Sequence, residues 1–178
     1  MLTVCSRTHV ALGAILVLTI VYLLGLAQPA QCFQNEPGDF RGMKWKENIS
    51  EFPGMLFLAA EGELRFYERK DENTKIGDAT ASKIIYGFYK DGLYSVLVYF
   101  DGLLNFSKLK EIYIQRYGAA FQPNEYVNKY FWNGDNVDIL MTYDDIMKHG
   151  RITYFYKPLA MTMEEDEKQR AKKGAADL

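Results

Sequence analysis

Cysteine and histidine are scarce in this chain. Of its 178 residues, two are cysteines (Cys5 and Cys32) and two are histidines (His9 and His149). Three of these four belong to the first 32 residues, so the remainder keeps one histidine and no thiol. That excludes a disulfide framework for the body of the protein, which must hold itself together by burial alone. A thiol nucleophile would have to be Cys32, with no base and no helix start beside it. Histidine catalysis would rest on His149 alone, in a loop next to Gly150. The G-x-S-x-G elbow, the phosphate-binding loop and H-E-x-x-H are all missing. No basic block stands out either. The formal net charge is −2 and the cations are interleaved with acids, which argues against nucleic acid and for ordinary solubility. No cofactor is expected.

Aromatic residues are abundant. Thirteen tyrosines and eleven phenylalanines, in a chain that is 48% apolar, exceed what a disordered polymer could hold in solution. They favour a β-rich fold with an aromatic core or an aromatic face.

The amino terminus reads as a secretory signal over residues 1–32. Arg7 precedes the apolar run Val10–Ala27, no acid occurs before Glu36, and Pro29 ends the run. Ala30-Gln31-Cys32 fits a small-x-small cleavage site with Phe33 as the first mature residue; cleavage after Ala27 is the alternative. The run of about eighteen residues also suffices for an uncleaved membrane anchor. A lipidated Cys32 is a third possibility, although Pro29-Ala30-Gln31 lacks the expected leucine and the small neighbour. All these readings export the domain, to the periplasm or to the inner membrane facing it.

After a linker at 33–38, a single domain is expected over 39–157, followed by a charged tail at 158–178 that is solvated or disordered. The domain centres on Lys83–Asp101, two β-branched and aromatic strands joined at Asp91-Gly92. A turn there sets Lys90 opposite Leu93. Ile85, Gly87 and Tyr89 then share an apolar face with Tyr94, Val96, Val98 and Phe100. Ile84, Tyr86 and Phe88 share a mixed face with Leu93, Ser95, Leu97 and Tyr99.

Met55–Ala60 reads as a short buried strand and Leu64–Arg69 as a half-exposed one. Asn105 is placed as a helix cap, Phe106, Leu109, Ile112, Tyr113 and Tyr117 as one helical face, and Gly118 as the stop. That helix is the natural cover for the apolar hairpin face. Strands are expected at Tyr126–Trp132, Val137–Tyr143 and Arg151–Tyr156. The order argues an α+β fold: a mostly antiparallel sheet of about six to seven strands on one main amphipathic helix. A signal helix precedes it and a charged helical tail follows. In that tail Thr162 and Glu165 suit a capping box, and no apolar stripe is visible.

Trp45, Tyr86, Phe88, Tyr99, Phe131 and Trp132 could line one sheet face. They are either core or a groove for a peptide, lipid or glycan. Arg41 beside Gly42 suits an anion or a structural ion pair. The candidate ligand-binding set is therefore Arg41, Trp45, Tyr86, Phe88, Tyr99 and Trp132. Oxygen donors at 133–138 and at Asp144-Asp145 lack the spacing of a calcium loop, and turn chemistry explains them, so no metal is expected.

Phe40-Arg41-Gly42 with Trp45, Tyr67-x-Arg69, Ile76-Gly77, Tyr86-Gly87-Phe88-Tyr89, Leu109-Lys110 and Tyr117-Gly118 carry a resemblance. Over 39–157 the chain resembles a group of small, uncharacterised exported proteins of Gram-negative bacteria with an F-R-G-x-x-W motif. Lys46 departs from that group, which carries Gly after the tryptophan. The resemblance implies periplasmic export and assigns no activity or catalytic residue.

The expectation is a non-enzymatic exported envelope protein. It would bind a protein partner or small ligand through an aromatic sheet face or a strand edge. Alternatives are a small periplasmic hydrolase using carboxylates such as Asp101 or Asp144, and a membrane-tethered accessory subunit if the leader is kept. The hydrolase requires two acids converging in a pocket with at least one desolvated.

Overall fold

The computed structural model describes residues 33–176, so the expected signal helix lies outside the described residues. In chain order the elements are β1 (Asp39–Phe40), β2 (Met43–Lys44), β3 (Met55–Glu61), β4 (Leu64–Arg69), β5 (Lys75–Ile76), β6 (Ala79–Thr80), β7 (Lys83–Tyr89), β8 (Gly92–Asp101), α1 (Leu103–Tyr117), β9 (Lys129–Asn133), β10 (Val137–Asp144), β11 (His149–Tyr156) and α2 (Lys157–Ala176). Seven strands form one antiparallel sheet in the order β3-β4-β7-β8-β11-β10-β9. The fold is α+β, as the alternation of strands around one amphipathic helix requires.

The central hairpin differs from the expected register. Its turn is Lys90-Asp91, both residues left-handed at φ 47° and 64°, with Tyr89 opposite Gly92. Gly92 is already in the strand. There it lies beside the segment 46–49, which exchanges backbone hydrogen bonds with Asp91 and Leu93. A Cβ at Gly92 would crowd the Lys46 carbonyl at 3.3 Å. Further along, Phe88 faces Leu93 but Gly87 faces Ser95, so Tyr94 is an extra residue. The pairing is therefore one residue away from the expected one. Ile84 and Tyr86 join Val98 and Val96 on the α1 side, while Ile85 and Gly87 join Leu97 and Ser95 on the other.

Val96, Val98 and Phe100 lie under α1 as expected, each at 0% exposure. From α1, Phe106, Leu109, Tyr113 and Tyr117 are buried and Ile112 is half-buried. Each such side chain contributes about 1.5–3 kcal/mol before entropy is counted. Asn105 does not cap α1. It sits in the first turn, donating to the Asp101 carbonyl and accepting from the Thr80 amide, which ties the helix start to β6. Gly118, at φ 85°, ends the helix and donates to the Ile114 carbonyl. Phe106 stacks on Tyr143 with 4.5 Å between centroids, and both stack on Phe100.

Two further expectations are corrected. Met55–Ala60 is not buried. β3 is the outermost strand, and Leu56, Phe57 and Leu58 are 52%, 59% and 39% exposed. The tail is not simply solvated. α2 starts directly after β11, and Leu159, Ala160 and Met163 pack on Tyr89, Tyr94, Leu64 and Phe155. Tyr89 donates to Asp166 at 2.6 Å and Lys90 pairs with the same carboxylate. Thr162 is interior to α2, donating to the Pro158 carbonyl, rather than its cap. The stripe escapes the eye because Leu159 and Met163 are continued at helical spacing by an acid, Asp166.

Gly150 of β11 carries the tightest contact under the aromatic stack. A Cβ there would stand 2.5 Å from Phe100 Cε2 and 2.7 Å from the Thr142 carbonyl oxygen. Gly150→Ala is expected to lose about 1–3 kcal/mol by overpacking, read as a lower urea midpoint with unchanged slope.

Candidate functional site

The six expected binding residues do not share a surface. Tyr86, Phe88 and Trp132 are buried at 1% exposure or less on the α1 side of the sheet, where Trp45 joins them. Their polar atoms are satisfied internally. Trp45 Nε1 donates to the Pro37 carbonyl at 2.7 Å, and its ring stacks on Tyr156. Trp132 Nε1 donates to the Gly118 carbonyl at 2.9 Å. Tyr99 projects from the opposite face with Phe131, because neighbouring positions along a strand point to opposite sides. The aromatic cluster is core, and the one-residue change of register accounts for the difference.

Arg41 is held by its own hairpin. Arg41 and Gly42 form the β1–β2 turn with φ 54° and 81°, and the Gly42 amide donates to Asp39. Its guanidinium pairs with Glu72 at 2.5 Å and donates to the carbonyls of Asn73 and Lys75. Glu72 also accepts the Tyr86 hydroxyl at 2.7 Å. Burial first, and this carboxylate second, hold the Tyr86 hydroxyl protonated far above its ordinary range. The structural pair is therefore the role Arg41 plays. It also lines an open cleft of about 420 Å³ between Phe40, Ile76 and Ile112. Beneath it, Tyr113 and Tyr154 join hydroxyls at 2.5 Å, and burial raises both pKa values. Lys46, where the resembled group has Gly, adopts φ 67°, so the backbone bends there without glycine.

Asp101 and Asp144 lack the desolvation that the hydrolase reading requires. Asp101 and Asp144 flank His149 in register, and all three are exposed. Asp144 accepts the amides of Met147 and Ile146, each at 2.8 Å, which holds its carboxyl below the ordinary range. An anion so stabilised has no proton to deliver near neutral pH. The turn at 133–138 is occupied differently from a cation loop. Its amides at Asp135, Asn136 and Val137 all donate to the Glu36 carboxylate, at 2.8, 2.6 and 2.5 Å. Among the described residues no group of three His, Cys, Asp or Glu is placed to hold a metal. Glu36 was hidden in the expected linker; the signal for it was the N-G-D-N turn, whose successive amides form an anion nest.

Large apolar side chains also stand exposed at two places on the sheet. Among the described residues β3 pairs only with β4, leaving its outer edge open. The opposite edge differs: Phe121 and Phe131 exchange two backbone hydrogen bonds, which closes part of β9. Leu103, Leu104, Ile146 and Met147 are also exposed, at one end of the sheet, where the Gly102 amide meets the Lys148 carbonyl. Comparison with protein-family models, with curated proteins and with solved structures gave no match.

The buried hydroxyls set an alkaline limit. Desolvation first and the Asp166 contact second push Tyr89 up to about 12. A raised folded pKa means the neutral form is the one the fold favours. Stability is then full below the unfolded value of 10.0 and is lost as pH rises towards about 12. Urea midpoints should fall across that window, and Tyr89→Phe should shrink the fall without abolishing it, since Tyr113 and Tyr154 shift the same way.

Proposed function

We propose that this chain is an exported, non-enzymatic envelope protein that binds a protein partner by taking up an extended segment at the β3 edge. One observation carries the reading: Leu56, Phe57 and Leu58 are exposed in succession on a strand with one hydrogen-bonded neighbour. Edge strands of folded proteins are ordinarily guarded by charge or proline. Met55-Leu56-Phe57-Leu58-Ala59-Ala60 has neither. Added strands gain affinity from main-chain hydrogen bonds and specificity from alternate side chains. Phe57 is seated for this, because its ring meets Tyr67 edge-on at 5.6 Å and Tyr67 meets Phe88 likewise. The support for export is the leader pattern with Arg7 before Val10–Ala27, the thiol-free body, and the resemblance to exported proteins.

A photoreactive residue at position 57, introduced in cells, tests the reading. The expected result is a discrete adduct that is absent from the same probe at Ser107, on the exposed side of α1, and is lost on Leu56→Lys. Equal labelling at 57 and 107, or none at 57, overturns it.

A further inference from the structure

The β3 edge is written so that it fits itself. Its first half is bulky, Met55-Leu56-Phe57, and its second half is small, Ala59-Ala60, before Glu61. Between the halves the register with β4 shifts, and Leu58 is the extra residue. The ends differ in charge as well. Arg69 lies opposite Met55, and the Lys70 amide donates to the Gly54 carbonyl, so two cations stand at the start of the strand. Glu61 closes the strand and Glu63 follows in the turn.

We infer that the segment taken up at this edge is β3 of a second copy, running antiparallel about a two-fold axis at Leu58. The inference rests on the strand-addition reading above. In this arrangement Phe57 faces Ala59 of the second copy, Leu56 faces Ala60, and Met55 faces Glu61. Each bulky side chain meets an alanine, so the two halves interlock without crowding. Both bulged leucines fall on the axis, where the extra residue of one strand is matched by that of the other. Glu61 of each copy lies on the same face as Arg69 of the other, two strands away across Met55 and within reach of the long guanidinium arm, and symmetry makes that approach twice. A parallel pairing would set Glu61 against Glu61 and phenylalanine against phenylalanine, and like charges directly opposite are destabilising. The result is one continuous sheet across two chains. Pairing along one strand of 7 residues suits a dimer that dissociates in the micromolar range.

Sedimentation of the exported chain, purified as the cell processes it, decides the matter. The expected result is a reversible dimer at micromolar concentration. Leu58→Lys should raise its Kd at least about tenfold, while Ile146→Lys, at an exposed position on the β10–β11 turn, should leave it unchanged. Glu61→Lys should weaken the dimer, and adding Arg69→Glu to the same chain should restore it, an outcome that only a self-pairing edge produces. Circular dichroism and thermal midpoints confirm that each variant is folded. A chain that stays monomeric at its highest soluble concentration overturns the inference. So does a dimer indifferent to both Leu58→Lys and the charge exchange. If the chain is monomeric yet position 57 still labels a different polypeptide in cells, the self-pairing is wrong and the strand-addition reading stands.

Discussion

Between Leu93 and Ser95, β8 holds one residue more than β7 can match. Alternation along a strand is strict, so that single surplus decides which side chains lie under α1 and which lie under α2. Leu93 goes to the α1 core with Val96 and Val98. Tyr94 goes to the other side, where it joins Tyr89 and receives Leu159. Without the bulge Tyr94 would turn into the α1 core and the seat of α2 would lose the ring that lies against Phe155. Both layers that cover the sheet depend on this irregularity, and the left-handed Lys90-Asp91 turn fixes the end from which it is counted.

Polar fastening complements apolar burial in this thiol-free body. Two carboxylates are prominent in it, one gathering side-chain donors and the other backbone amides. Glu72 takes the Arg41 guanidinium and the Tyr86 hydroxyl, which binds the β1–β2 hairpin and the loop before β5 to the central sheet. Glu36 takes three successive amides of the β9–β10 turn. Charge-assisted hydrogen bonds of this kind contribute about 1.5–3 kcal/mol each where solvent is excluded, and less where it is not. The F-R-G-x-x-W motif is thereby explained as construction. Phe40 enters the core against Tyr86 and Tyr154, Arg41 and Gly42 make the turn, and Trp45 seals the chain against Tyr156.

Much of the architecture was legible from periodicity. The α1 face, the burial of Val96, Val98 and Phe100, and the α+β antiparallel class follow from apolar spacing of 3.6 or 2 residues. What escaped has physical causes. Asp91-Gly92 is a strong turn signal, yet Gly92 lies in the strand, where a neighbouring backbone approaches it closely. A bulge leaves no trace in composition, so simple alternation puts Tyr86 and Phe88 on the face of Tyr99. An uncharged run such as Met55–Ala60 looks the same whether it is interior or a bare edge. The docked half of α2 is a stripe of only Leu159, Ala160 and Met163, completed by a hydrogen-bonded acid that hydropathy counts as polar.

The Glu36 clamp joins residues about a hundred positions apart, since the sequence separations of its three bonds run from 99 to 101. The neighbouring Gln34 amide is likewise held by the Tyr117 carbonyl. Neither fastening has a partner until α1 and the β9–β10 hairpin exist. Gln34 and Glu36 therefore have nothing to fasten to until the segment that ends in Val137 has folded. The order of closure therefore runs against the order of the sequence: this lead-in is fastened only after segments far downstream of it.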